Sequence, residues 1–289
     1  MIKNRNMKKL FFAAIISICA VLSASAQQPA IDKGPADGQF TFVQIADPQL
    51  GYCSKAKDLE FTVDNYRRVI DIVNDMKPAF VVVSGDMVHR HKNKAHVEAY
   101  RQMLKRFDPS IPVFHIPGNH DMPKMEEGSV KQYMDQFGYD RFSFEYGGYA
   151  FIGFNSNPMV LEGEAAQKMA KEEYQWLEKQ LKQYKGKPIF VFVHHPLTVA
   201  EGTPIKHKSA WDEPWRTDFA KLMAKYGVKA IFAGHTHYGE TNTIEGIPVY
   251  TVGASSHPLY GAETGIQITS VASPTSWFTH FQKIPTYTR

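Results

Sequence analysis

The sequence predicts an α/β protein, built as a layered sandwich of mixed sheets flanked by helices. Three observations predict it. Short, almost purely apolar runs at 79–83 and 189–193 are of the kind that forms strands buried on both faces. Stretches with helical periodicity alternate with such runs through both halves of the chain. From residue 241 onward the pattern changes to short strands with turns at Glu245-Gly246 and His257-Pro258, which favours mixed sheets over a purely parallel one.

The elements follow in order. Residues 40–46 predict a strand, and 59–76 predict a helix with Phe61, Tyr66, Val69, Ile70 and Val73 on one side. The strand at 79–83 is followed by a helix over 95–107, a short strand at 113–116 and a helix over 126–137. Residues 142–146 and 149–155 pair as a hairpin across Gly147-Gly148. The second half repeats the alternation: a long helix over 164–183, a strand at 189–193, a helix over 217–226 and a strand at 230–233. No internal repeat or low-complexity tract interrupts the pattern, so residues 39–289 read as one domain.

Residues 1–26 stand apart. Lys3, Arg5, Lys8 and Lys9 precede an apolar run from 10 to 22, and Ala24-Ser25-Ala26 offers a small-residue cleavage site. This is the pattern of a secretory signal peptide, and the run falls short of the roughly 20 apolar residues a membrane span needs. The expected location is therefore periplasmic or secreted. Ile18, where lipid-attachment sites place a small residue, argues against lipidation at Cys19. Residues 27–38, rich in Pro, Gly and Asp, read as a flexible leader.

The whole chain has 33 Lys+Arg and 29 Asp+Glu, and its first 26 residues hold four of the bases and none of the acids. The remainder is formally neutral. It has no basic stripe to track a phosphate backbone, so binding of nucleic acid by bulk charge is not expected. Of the two cysteines, Cys19 leaves with the leader, and Cys53 then has no partner for an internal disulfide. It reads either as an inert thiol or as an oxidation-sensitive one near the site described next.

Chemistry gathers where the strands end. Residues 40–46 run into Asp47, and 79–83 into Ser84-Gly85-Asp86. Residues 113–116 run into Pro117-Gly118-Asn119-His120-Asp121, 189–193 into His194-His195-Pro196, and 230–233 into Gly234-His235-Thr236-His237. Ligand sites in α/β folds lie at such carboxyl ends. Any one of these pairs is a weak signal; a lone Gly-Asp or His-X-His is commonly structural. Five together, each at a strand end, make a metal site the stronger reading.

This order resembles the calcineurin-like metallophosphoesterase superfamily, whose motifs run D-x-H, G-D, G-N-H-D/E, H and G-H-x-H. The segment Ala46-Asp47-Pro48-Gln49-Leu50-Gly51 is similar to the start of its subgroup of calcineurin-like phosphoesterase domain-containing protein 1. The resemblance implies an α/β/β/α order of layers and a hydrolase acting on phosphoric esters with two divalent metal ions (Mn, Fe, Zn or Mg). It implies that Asp86 bridges the ions, that Asp47 and His237 hold the first, and that Asn119, His194 and His235 hold the second. A hydroxide bridging the ions would attack phosphorus in line; such ions lie roughly 3.5–4 Å apart and bring the pKa of bound water towards about 7. Formal charge over such a site sums to about +1, which draws in a phosphoryl group. His120 would donate a proton or hydrogen bond to the leaving-group oxygen, with Asp121 holding its other nitrogen.

The chain departs from the superfamily at Gln49, where histidine is expected. An amide oxygen suits harder ions, so manganese is expected near Gln49 if it ligates. The other reading is that Gln49 only hydrogen-bonds beside the site. Further residues also keep two readings. His89 and His91, in a basic stretch over 89–92, are either solvated or touch substrate. His195 packs behind His194. The loop 198–216, with His207, Trp211, Trp215 and Arg216, is either a lid or the approach to a packed helix face.

The leading expectation is metal-dependent hydrolysis of a phosphomonoester outside the cytoplasm. The subgroup resemblance implies a phosphoprotein substrate, but a secreted enzyme meets few of these, and small phosphorylated metabolites fit as well. The alternatives are a phosphodiesterase on the same site, or a phosphate- or metal-binding protein weakened through Gln49.

Overall fold

The computed structural model describes residues 27–52, 59–126, 128–205, 210–273 and 275–287. Residues 1–26, Cys53 and His207 lie outside the described residues.

The first sheet is built from β1 (Phe40–Ile45), β2 (Val81–Ser84), β3 (Val113–Ile116), β10 (Gly265–Ser273) and β11 (Ser276–Lys283), in the order β11-β10-β1-β2-β3. Strands β1, β2 and β3 are parallel, and β10 is antiparallel to β1 and β11. The second sheet holds β4 (Phe142–Tyr146), β5 (Tyr149–Gly153), β6 (Ile189–Phe192), β7 (Val228–Ala233), β8 (Glu240–Ile244) and β9 (Ile247–Thr251). Its order is β4-β5-β6-β7-β9-β8, parallel through β5, β6, β7 and β9 with antiparallel edges. Both sheets are mixed, as the sequence predicts.

Strand alternation explains the layers. On β1, Phe42 belongs to the cluster between the sheets, whereas Val43 and Ile45 belong to a second cluster with α1 (Leu59–Met76). The inter-sheet layer is aromatic: Phe42 stacks on Phe80 at 5.2 Å and meets Phe232 edge-on at 5.5 Å, so the two sheets interlock. Each such pair adds about 0.5–1.5 kcal/mol beyond area burial. Helices α2 (Lys94–Leu104) and α3 (Ser129–Phe137) cover the first sheet beside α1. Helices α4 (Glu164–Gln183) and α5 (Trp215–Lys225) cover the second through Leu177, Leu181, Phe219 and Met223. The result is an α/β/β/α sandwich.

Small differences from the sequence reading have local causes. Helix α2 starts at Lys94 because the Asn93 side chain accepts the Ala95 N–H at 3.0 Å. Helix α3 starts at Ser129 rather than 126, since Gly128 before it is left-handed at φ 86°. Phe61 lies beside the buried stripe of α1, which runs through Thr62, Asn65, Tyr66, Val69, Ile70 and Val73. Residues 27–38 form no helix or strand, yet Lys33 accepts the Gly147 N–H at 2.9 Å. No helix among the described residues is long and apolar enough to cross a membrane.

Candidate active site

Because β1, β2 and β3 run parallel in one sheet and β6 and β7 run parallel in the other, their carboxyl ends face a common edge of the sandwich. Gln44 ties the sheets together just before that edge. Its amide donates to Ser84 Oγ at 2.6 Å on β2 and to the Ala233 carbonyl at 2.9 Å on β7. Beyond it the chain turns sharply: Asp47, Gln49, Asp86, His235 and His237 all have left-handed backbones, with φ between 39° and 70°. Non-glycine residues rarely adopt this conformation, and it clusters at functional sites where the surroundings enforce it. Enforcement is visible here: Gln49 N donates to the Asp86 carbonyl at 2.7 Å, and Gly234 N to the His194 carbonyl at 2.9 Å. Two glycines permit the approach. A Cβ on Gly118 would collide with the Asp86 carboxylate, and one on Gly234 would lie 2.8 Å from Asp47 Oδ2.

The strand ends bring the predicted ligands together. Ligand atoms of Asp47, Asp86 and His194 lie within 4.8 Å of one another, as do those of His194, His195 and His235. His194 Nε2 is 3.1 Å from Asn119 Oδ1 and 3.5 Å from Asp86 Oδ1, and His237 Nε2 is 3.4 Å from Asp47 Oδ1. The His235 backbone N–H donates to Asp47 Oδ2 at 2.9 Å. The far nitrogens set the tautomers: His194 Nδ1 donates to the Ser84 carbonyl at 2.8 Å and His237 Nδ1 to the His257 carbonyl at 3.3 Å. A carbonyl only accepts, so each Nδ1 carries a proton and each Nε2 is the nitrogen turned toward the cluster, where a ligand atom is needed.

Electrostatics fit the same purpose. Burial pushes the Asp47 carboxyl up, but the imidazoles of His237, His194 and His235 hold it below its ordinary value. It therefore stays a carboxylate, the form that binds a cation. Burial pulls the His237 imidazole down, and the Asp47 and Asp86 charges raise it above its ordinary value.

Two oxygens lack what they need. Gln49 Oε1 is buried with no hydrogen-bond partner and Asp47 Oδ1 is met only by His237 Nε2 at 3.4 Å, while Gln49 Nε2 donates to Asp86 Oδ2 at 3.4 Å. Buried acceptors are normally satisfied, and leaving one unsatisfied costs about 1–3 kcal/mol. A divalent cation beside the imidazoles and carboxylates would satisfy both oxygens, so these residues fit a metal centre. The unpaired oxygen of Gln49 is available to such a cation, while its amide nitrogen is engaged by Asp86.

Gln49, Asp86, Asn119, His120, His235 and His237 line a cleft of about 420 Å³. Tyr52, Leu259 and Tyr260 complete it. None of these three was singled out from sequence; they arrive from loops whose path the strand pattern does not dictate. The same holds for His257, legible only as part of a turn.

The position of Asp121 corrects an expectation. It does not hold His120: its carboxylate accepts the N–H groups of Met87 at 3.1 Å, Val88 at 3.1 Å and Gly118 at 2.9 Å. These three backbone donors occupy both oxygens and turn the side chain into the loop. Burial, and then the Asp86 charge, push its carboxyl well above the ordinary range, with the N–H groups pulling the other way. His120 instead donates from Nδ1 to the His89 carbonyl at 3.0 Å, and its backbone N–H donates to Asp86 Oδ1 at 2.8 Å.

The remaining candidates divide. The His89 ring stacks on that of His120 with centroids 4.9 Å apart, whereas His91 lies off the cleft, its carbonyl taken by Gln136. His195 is pinned by Ser156, with Nδ1 3.1 Å from its hydroxyl. Trp211 is buried: its Nε1 donates to the His195 carbonyl at 2.7 Å and its ring meets Phe219 at 5.1 Å. Trp215 packs in the same cluster, and Arg216 pairs with Glu213 at the surface. This favours packing over a lid for both tryptophans.

Carboxylates and imidazoles thus converge from five strand ends into a candidate metal centre. Residues 40–239 match the family model described as calcineurin-like phosphoesterase, and the chain belongs to that family. It is 27% identical over 255 residues to the serine/threonine-protein phosphatase CPPED1 of Danio rerio, covering 81% of this chain and 82% of that one. It is also 28% identical over 226 residues to a probable glycerophosphodiester phosphodiesterase, GpdQ, of Arcobacter nitrofigilis, covering 75% and 79% respectively. A dimetal phosphatase from Danio rerio shares the fold with a TM-score of 0.61 at 15% identity, over 84% of this chain and 96% of that one. The chain is a hydrolase acting on phosphoric ester bonds, and its clustered histidines and aspartates are compatible with a dinuclear metal site.

Proposed function

We propose that the chain is a phosphomonoesterase acting outside the cytoplasm, with two divalent cations held by Asp47, Gln49, Asp86, Asn119, His194, His235 and His237. The observation that carries this reading is the pair of buried oxygens, Gln49 Oε1 without a partner and Asp47 Oδ1 met only by His237 Nε2 at 3.4 Å, beside imidazoles whose Nε2 atoms face inward. When bound, the cations supply activation of water near neutral pH and positive charge against the phosphoryl oxygens. Manganese is favoured near Gln49, because an amide oxygen is a hard donor.

The chain's own residues do the rest. Asp86 is held by the His120 N–H on Oδ1 and by the Gln49 amide at Oδ2, which fixes its plane. With His120 Nδ1 committed to the His89 carbonyl, Nε2 is the nitrogen left to serve the leaving-group oxygen as a hydrogen-bond or proton donor. A monoester carries more negative charge than a diester and gains more from a cationic site. The similarity to phosphatases over four-fifths of the chain points the same way.

The substrate class we favour is a small phosphorylated metabolite; a phosphoprotein is the second reading, supported by the name of the CPPED1 relatives. A phosphodiesterase is supported by the GpdQ relative. The extracytoplasmic location rests on the basic, apolar and small-residue pattern of residues 1–26. Protein lacking those residues, loaded separately with Mn²⁺, Mg²⁺, Zn²⁺ or Fe²⁺, is to be assayed on p-nitrophenyl phosphate and bis-(p-nitrophenyl) phosphate. Faster turnover of the monoester is expected. Faster turnover of the diester would replace the reading with a phosphodiesterase, and turnover of neither with any metal would leave a binding protein.

A further inference from the structure

We propose that His89 is the positioning residue of His120, its carbonyl selecting which ring nitrogen faces the cleft and its imidazole fixing the plane of that ring. The inference rests on the reading of His120, a residue that Asp121 does not contact through its side chain, as donor to the leaving group.

Three contacts fix His120. Its backbone N–H is held by Asp86 Oδ1 at 2.8 Å, its Nδ1 by the His89 carbonyl at 3.0 Å, and its ring face by the His89 ring at 4.9 Å with an interplanar angle of 28°. A carbonyl has no proton to give, so Nδ1 is the protonated nitrogen and Nε2 is presented to the cleft. The stack supplies what a single hydrogen bond does not, since rotation about the Nδ1–carbonyl direction would still swing Nε2 through an arc.

His89 is itself braced, which a positioning residue must be. Its backbone N–H donates to the Leu50 carbonyl at 3.0 Å, and the adjoining Val88 N–H is held by Asp121 Oδ1 at 3.1 Å. The Tyr52 ring stands edge-on against the His89 ring at 4.9 Å and against the His257 ring at the same distance. Asp121 thus acts on His120 through the backbone of residues 87–89 and not by direct contact. Burial, then His120, Arg90 and His96, bring the His89 imidazole down to about 4, so it stacks as a neutral ring at physiological pH.

The test compares His89→Ala, which keeps the carbonyl and loses the ring, with His89→Phe, which restores an aromatic face. Phenyl phosphate, with a poor leaving group, depends on His120 more than p-nitrophenyl phosphate does. For His89→Ala, kcat on phenyl phosphate is expected to fall about tenfold or more, with a smaller fall on p-nitrophenyl phosphate and little change in KM. His89→Phe should recover most of the loss. In parallel, nitrogen-15 NMR should show His120 protonated at Nδ1 in all three proteins, since each keeps the residue-89 carbonyl, while relaxation of the His120 ring should report greater ring motion in His89→Ala than in the native and His89→Phe proteins. Equal losses in both variants, equal losses on both substrates, or unchanged motion of the His120 ring in His89→Ala would overturn the proposal. If His89→Ala does not fold, His89→Leu removes the aromatic face with less loss of volume and takes the same readings. A native protein inactive on both substrates would overturn the phosphomonoesterase reading alone, while the NMR comparison would still decide the positioning role.

Discussion

At Gln49 an amide oxygen sits buried without a partner, its nitrogen on the Asp86 carboxylate, in a cleft it lines together with His235 and His237. That single donor distinguishes this site from one completed by a further imidazole. Replacing it by Gln49→His should shift the first cation's preference from manganese towards zinc, raising zinc affinity by about tenfold or more. Competition between the two metals, read by elemental analysis, checks this; an unchanged preference would mean that Gln49 does not ligate. At this scale much was legible in advance, because Asp47, Asp86, Asn119, His194, His235 and His237 each follow a strand whose end the apolar pattern marks. The partners of His120 were not. Whether its Nδ1 meets Asp121 or the His89 carbonyl depends on the path of the loop over residues 87–89, which no periodicity encodes. Tyr52, His257 and Tyr260 escaped for the same reason.

The strands and helices support the site mainly by packing. The segment leading into α5 illustrates this: Trp211 lies among Phe154, Phe219 and the His195 carbonyl and contributes to the core of the second sheet. Trp211→Ala is expected to cost about 3–5 kcal/mol of stability in denaturant unfolding, with KM almost unchanged in the folded fraction. A changed KM at unaltered stability would instead mark this segment as a lid. From sequence the two tryptophans could be read either way, since a spacing of four residues aligns them on one helical face whether that face meets a core or a substrate. Most element positions were legible, because helical periodicity and apolar runs are strong in this chain. The exact starts of α2 and α3 depended on Asn93 as a cap and on Gly128 in a left-handed turn, both local features of only one residue.

Across the whole molecule, the α/β/β/α order follows from strands whose two faces are both apolar, with aromatic side chains between the sheets and aliphatic ones under the helices. Alternation predicted mixed sheets, but strand order was not legible. The tail strands β10 and β11 join the first sheet beyond β1, whereas β8 and β9 join the second, and such long-range pairing leaves no local trace. Away from the site, a buried charge group on α4 sets a pH dependence of stability. Burial pushes the Glu173 carboxyl up to about 8, against the pull of Arg141 and with the further push of Asp140 and Glu172. A carboxyl whose pKa is higher in the folded than in the unfolded state favours folding most at low pH. That contribution is lost as pH rises from the ordinary carboxyl value of 4.5 through about 8. Glu173→Gln should therefore have a Tm near that of the native protein at pH 4.5 and a clearly higher one at pH 9. A constant difference across that range would contradict the assignment.

Metal content per chain tests most directly the proposed two-cation site, which Asp86 would help to hold. After loading with Mn²⁺ and removal of excess, the native protein is expected to retain two ions per chain. Asp86→Asn, which keeps the side chain's shape and removes its charge, should retain one or fewer, with circular dichroism unchanged. Two tightly held ions in Asp86→Asn, or none in the native protein with any of the four metals, would contradict the account.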